Sequence, residues 1–149
     1  MAACTNAPKA TQAKSQDFSA VKGRVWQLAE VRNAAGAITF DSNKLDKSIF
    51  RDVYTLQFDK QLATGKGAPN RYTAPFTLEG GNGIAFKTAA ATMMMAFREP
   101  EGLNEIAFFR LLEKSYKWEL SKDKLVLTLH SLDNKGEKVS MIFNEFDYR

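Results

Sequence analysis

A chain of 149 residues, 44% hydrophobic and 11% aromatic, is the right length for one domain and carries enough Phe, Tyr and Trp to build a core without disulfides or metals. Its net charge of +4 does not mark a nucleic-acid binder: setting aside Lys9, Lys14, Lys22, Arg24 and Asp17, the 21 basic and 17 acidic residues fall to 17 and 16 from Val25 onward. The signs alternate, as in Lys122-Asp123-Lys124, so no basic face is left for phosphates, and no apolar run nears the roughly 20 residues of a membrane-spanning helix.

The single cysteine, Cys4, rules out an intramolecular disulfide and a Cys-rich zinc site. In Met1-Ala2-Ala3-Cys4 small residues precede the cysteine, as in bacterial lipoprotein signals whose cysteine is acylated. Met1 would then stand in place of a removed apolar segment; the alternative is an unmodified cysteine in a tail. Residues 5–16 are Ala, Thr, Lys, Gln, Asn and Ser with one Pro, without periodicity, which is the composition of a linker. Residues 1–20 therefore read as a lipoprotein-type leader and residues 21–149 as the domain.

Along the domain, Trp26 and Leu28 alternate with Val25, Gln27 and Ala29, predicting a first strand. Asn33-Ala34-Ala35-Gly36 is a turn, and residues 37–52 look like a long polar connection. Tyr54, Leu56 and Phe58 share a strand face, and Leu62 to Lys66 form a short strand running into Gly65 and Gly67. Tyr72, Ala74, Phe76 and Leu78 line one face of a longer strand whose Pro75 suits an edge or a bulge. Glu79-Gly80-Gly81-Asn82-Gly83 predicts a hairpin turn leading back to Ile84 and Phe86.

Residues 89–97 are nearly all small or apolar and predict a strand buried on both faces. Met93, Met94 and Met95 then serve as flexible core filling. Three thioethers suit copper(I), but strand alternation turns Met94 away from its neighbours. Leu103, Ile106, Phe109 and Leu112 recur three apart and predict a helix over residues 100–114. Three strands follow, marked by Tyr116, by Leu125, Leu127 and Leu129, and by Val139, Met141 and Phe143. Seven to nine short strands with one helix give a mostly β (α+β) fold, a rolled antiparallel sheet or small barrel.

Catalytic groupings do not emerge. The only histidine, His130, sits opposite the leucines of its strand, toward solvent, and no serine occupies a G-x-S-x-G elbow. Asp41, Asp46 and Asp52 match no calcium loop. Gly65-x-Gly67-x-x-Asn70 lacks the Lys-Ser/Thr ending of a phosphate loop. The expectation is no enzyme, no cofactor and no metal, with an unassigned hydrolase as the third reading.

Asn70-Arg71-Tyr72 is the most tempting binding corner. Asn70 suits the exit from Gly67-Ala68-Pro69, because Asn tolerates left-handed angles and bonds its own turn. Tyr72 packs inward, and Arg71 points outward. Loss of one buried hydrogen bond in Asn70→Ala would cost about 1–2 kcal/mol.

The order of these features resembles the META domain family, which includes heat-inducible HslJ-like envelope proteins. Trp26-x-Leu28, Leu56-x-Phe58, Asn70-Arg71-Tyr72, Gly83-Ile84-x-Phe86, Thr92-x-Met94 and Glu105 with Phe109 and Leu112 carry the resemblance. Pro69 and Ala96 or Phe97 stand where the family often has cysteines. The resemblance adds Thr92 and Met94 to the candidate binding residues Asn70, Arg71 and Tyr72. It implies a compact barrel-like fold on the periplasmic side of a bacterial envelope and a link to stress tolerance; with Cys4 as the lipid anchor, the expectation is an envelope protein, held to the outer membrane, that acts by binding. Expected partners are an envelope protein or an apolar ligand such as an acyl chain, with the chain a monomer. The alternative is a carrier or secretion-pilot-like protein holding that ligand inside the sheet.

Overall fold

A computed structural model of the chain describes residues 17–146, so Cys4 and most of the stretch expected to be a leader lie outside the described part. The strands are β1 (Val25–Arg32), β2 (Ile38–Asp41), β3 (Thr55–Asp59), β4 (Leu62–Lys66), β5 (Arg71–Glu79), β6 (Gly83–Phe86), β7 (Ala90–Ala91), β8 (Lys117–Leu120), β9 (Val126–Leu132) and β10 (Lys138–Glu145). Among the described residues two α-helices, α1 (Lys47–Phe50) and α2 (Glu105–Glu113), interrupt them. Eight strands run in the order β10-β9-β8-β6-β5-β4-β3-β1, and β1 pairs back onto β10 to close an antiparallel barrel. Beyond that ring, β2 lies beside β1 and β7 beside β5. Closure removes the open edges that a rolled sheet would leave to aggregation.

Alternation explains which side chains fill the barrel. Trp26, Leu28, Leu56, Phe58, Leu127, Leu129 and Phe143 are each at most 1% exposed, and their strand neighbours face outward. The interior is thus packed with side chains. One end is sealed by Phe18, whose ring meets Phe58 at 5.0 Å and Trp118 at 4.9 Å, both edge-on. Packing therefore begins at Phe18, ahead of the expected start at Val21. The other end gathers Phe40, Tyr54, Tyr72, Phe108 and Phe109.

The structure departs from the sequence reading in four stretches. Residues 37–52 are not a plain connection: they hold β2, a 3-10 turn (Ser42–Lys44) capped by Asp41, and α1 capped by Asp46. Asp41 and Asp46 act as caps, each carboxylate accepting a main-chain N–H, whereas Asp52 pairs with Lys66. Pro75 lies on a strand paired on both sides, opposite Leu62 on β4. Its carbonyl accepts from Lys87 N–H at 2.9 Å, so its missing N–H faces the gap where β6 ends and β7 has yet to begin. The helix starts late, because Gly102 has a φ of 90° and Asn104 caps α2 by accepting from Ala107 N–H. Phe108, Leu111 and Leu112 are its buried face, while Ile106 is exposed.

The largest correction concerns residues 89–97. Only Ala90 and Ala91 are strand. Met93 and Met95 are each 95% exposed, Met94 58% and Phe97 104%. They fill no core, because among the described residues no strand pairs β7 on its far side and the barrel interior is already occupied.

Candidate functional site

At the β4–β5 corner the chain turns through Gly67 and a cis Ala68–Pro69 bond into β5. Opposite it stands Glu105, in the first turn of α2. Glu105 Oε1 accepts the N–H groups of Ala68 and Asn70, both at 2.7 Å, and Oε2 accepts Asn70 Nδ2 at 2.7 Å. Asn70 Nδ2 also donates to the Met94 carbonyl at 2.9 Å. Its Oδ1 accepts from Thr92 Oγ1 at 2.8 Å and from Met94 N–H at 2.7 Å. Asn70 is only 4% exposed, and every hydrogen-bonding position of its amide is used. The contact admits no side chain at Gly67, where a Cβ would come within 2.6 Å of Glu105 Oε1.

Asn70, Thr92 and Met94 therefore meet at one point, Met94 through its main chain. Arg71 joins by its N–H, which donates to Thr92 Oγ1 at 3.2 Å, while its side chain is exposed. Tyr72 faces inward and donates its hydroxyl to the Thr55 carbonyl at 2.7 Å. Burial holds its hydroxyl far above the ordinary tyrosine range. Tyr54, next along the same wall, donates to the Leu103 carbonyl at 2.5 Å; burial first, then the Glu105 and Glu99 charges, raise its pKa as well. Asn70 does not act as expected: among the described non-glycine residues only Tyr54, Lys60 and Lys124 have positive φ, and its side chain bonds distant segments rather than its own turn.

The residue that sequence reasoning missed is Glu105. A carboxylate in a helix's first turn is ordinarily read as a dipole partner, and nothing nearby points 35 residues back to Asn70. The one signal was its place beside Phe109 and Leu112 in the family pattern.

The network holds up an apolar surface. Beside the corner opens a cleft of about 460 Å³, lined among others by Phe50, Val53, Ala68, Pro69 and Phe97. The run from Met93 to Phe97 stands next to it, pinned at Met94 by Asn70.

Elsewhere, His130 Nε2 lies 2.6 Å from Glu119 Oε1 and Nδ1 3.5 Å from Ser140 Oγ. These are cross-strand neighbours on β8, β9 and β10. They have the residue types of a hydrolase triad, yet they lie on the barrel's outer face, and none of the described clefts is lined by them. Among the described residues no cluster of three His, Cys, Asp or Glu side chains could hold a metal.

A small closed antiparallel barrel, sealed at one end by a helix whose carboxylate grips a buried Asn corner, defines the class. Residues 19–142 match the META domain, and the chain belongs to that family. The fold is similar to that in an NMR structure of a protein from Burkholderia xenovorans, with a TM-score of 0.57 over 95% of this chain and 89% of that one at 19% identity. Among curated proteins, none matches the chain.

Proposed function

We propose that this is a lipid-anchored bacterial envelope protein that acts by binding, not turnover, in envelope stress tolerance, and that its binding surface is the cleft and the adjoining run of residues 93–97. The observation that carries this reading is the near-complete exposure of Met93, Met95 and Phe97 on a segment fixed by the hydrogen bonds of Asn70 to Thr92 and the Met94 main chain. Contiguous apolar surface held out to solvent marks an interaction site. The filled barrel interior speaks against a ligand carried inside the sheet.

The end of the barrel at which the described chain begins fits this reading. Phe18 packs beside Leu78, Gly81 and Trp118, at the hairpin end of β5, whereas Asn70 and the cleft lie at its start. Nine residues of β5 at ~3.3 Å each set the two ends roughly 30 Å apart. A tether at Cys4 would join at one end and leave the apolar end turned away from the anchoring membrane.

Complementation of a strain lacking the gene tests this. Replacing Met93, Met95 and Phe97 together by Ser is expected to leave the protein folded and membrane-bound but to abolish stress tolerance, and Cys4→Ser to release it from the membrane. Full complementation by the triple variant would sink the proposed surface.

A further inference from the structure

We propose that the cleft takes a single-chain anionic amphiphile, an acyl tail with a negatively charged head. This rests on the reading of that end of the barrel as the binding surface and names its ligand. The site is distinct from the barrel interior, where side chains leave no room.

The floor of the cleft is preformed. Phe50, Val53 and Ala68 are 7%, 5% and 5% exposed, locked into the core on their inner sides and presenting apolar surface outward. Glu105 holds Ala68 in place through its main-chain N–H, so little ordering of this floor remains to oppose binding. A volume of about 460 Å³ falls within the several hundred Å³ typical of small-molecule sites, which are mostly apolar with a few polar groups that fix orientation. Phe97 at the rim and the neighbouring Ile49, 44% exposed, would lose water on closing over an acyl tail.

The head group follows from charge. Only Lys66 and Arg98 among the lining residues are charged, and both are cations. Lys66 Nζ pairs with Asp52 at 2.8 Å, an exposed contact of the kind that contributes little and exchanges readily. The acid whose charge reaches Arg98 is Asp46; both side chains are exposed, so water screens their attraction and leaves Arg98 open to a second carboxylate. A carboxylate head beside Arg98, with its tail between Val53 and Pro69, satisfies both chemistries at once. A cationic or neutral head uses only one of them.

The test is an NMR titration of the full chain with sodium dodecanoate below its micelle concentration. Dodecyltrimethylammonium, with the same tail and the opposite charge, is the matched probe. Dodecanoate is expected to bind saturably and one-to-one, shifting Phe50, Val53, Ala68 and Phe97. The cationic probe should bind about tenfold more weakly. Arg98→Gln, at an exposed position, should weaken dodecanoate by about fivefold to tenfold and leave the cationic probe unweakened. Val53→Trp, which fills the cleft, should abolish both. If that variant fails to fold, Arg98→Gln decides alone.

Flotation with phosphatidylglycerol vesicles separates a free amphiphile from a membrane surface. Equal binding of both probes, unsaturable binding, or flotation without saturable dodecanoate binding each overturns the proposal, as does dimerisation that buries the cleft. If dodecanoate fails while the Met93, Met95 and Phe97 triple variant still loses stress tolerance, the ligand class is wrong and the binding surface stands.

Discussion

The two ends of the barrel are closed by different chemistry. At the leader end Phe18, Phe58, Phe76 and Trp118 interlock edge to face, and the seal is made by apolar packing. At the cleft end the seal includes Asn70, Glu105, Thr92 and the hydroxyls of Tyr54 and Tyr72, all hydrogen-bonded. Apolar packing hides whatever it touches. A directional polar network can instead grip a segment by its main chain and leave the side chains in water, as Asn70 does with Met94. The first end is built for stability, the second to hold an apolar surface open.

The sharpest way to break this comparison is at Phe18. Phe18→Ala is expected to cost about 3 kcal/mol, as for a buried aromatic removed with little collapse, read from urea melts. An unchanged midpoint would return residues before Val21 to the leader. At the other end Asn70→Ala should cost ~2–3 kcal/mol, more than a single hydrogen bond, since it strands Glu105 Oε2, Thr92 and the Met94 main chain together. It should also loosen residues 92–97 in hydrogen exchange while protection in β9 and β10 stays. Uniform loss across the barrel would show that the network is ordinary core.

Tyr72→Phe should cost about 1 kcal/mol, the worth of one buried hydrogen bond. Tyrosine also gives the comparison a pH signature. The folded pKa values of Tyr54 and Tyr72 are raised by burial above the ordinary 10.0, so their contribution is complete below pH 10.0 and is lost as pH rises above it, while the unfolded chain ionises. Urea midpoints should fall on the alkaline side of that value, less steeply in Tyr72→Phe; parallel slopes would contradict it. In acid the capping carboxylates Asp17 and Asp46 and the turn carboxylate Asp123 act the other way. Hydrogen bonds from Ser19, Ser48 and Ser121 respectively lead in holding them below the ordinary 3.8, so their contribution is present above that value and lost as pH falls below it.

The smallest change in stability is expected from Met93→Ser with Met95→Ser and Phe97→Ser, within about 0.5 kcal/mol for side chains that pack on little. His130→Ala should be equally mild in melting and leave function intact. Loss of function with normal melting in His130→Ala would bring the Ser140, His130 and Glu119 row back as a catalytic candidate.

Much of the architecture was legible in the residues. Trp26 and Leu28, Leu56 and Phe58, Leu127 and Leu129 alternate in sequence and are the side chains that fill the barrel, because a strand half-buried in a sheet imposes a period of two. Turn glycines were legible too, since Gly36, Gly81 and Gly136 all have positive φ. The polar corner was half legible. Asn70, Thr92 and Met94 could be picked out by pattern, but their shared partner Glu105 lies on another element.

Sequence alone determined most strand faces, the hairpins and the single main helix, because these depend on neighbours within a few positions. Leu78 and Leu125, expected with the core-facing residues of their strands, are instead 44% and 55% exposed. Only the tertiary structure decided that Pro75 faces a gap between two partner strands, that Phe18 belongs to the core, and that residues 93–97 stand in water. An apolar run has the same local composition whether buried or exposed. Its burial depends on whether distant segments arrive to cover it, and here the barrel closes through β1 and β10 with its interior already full.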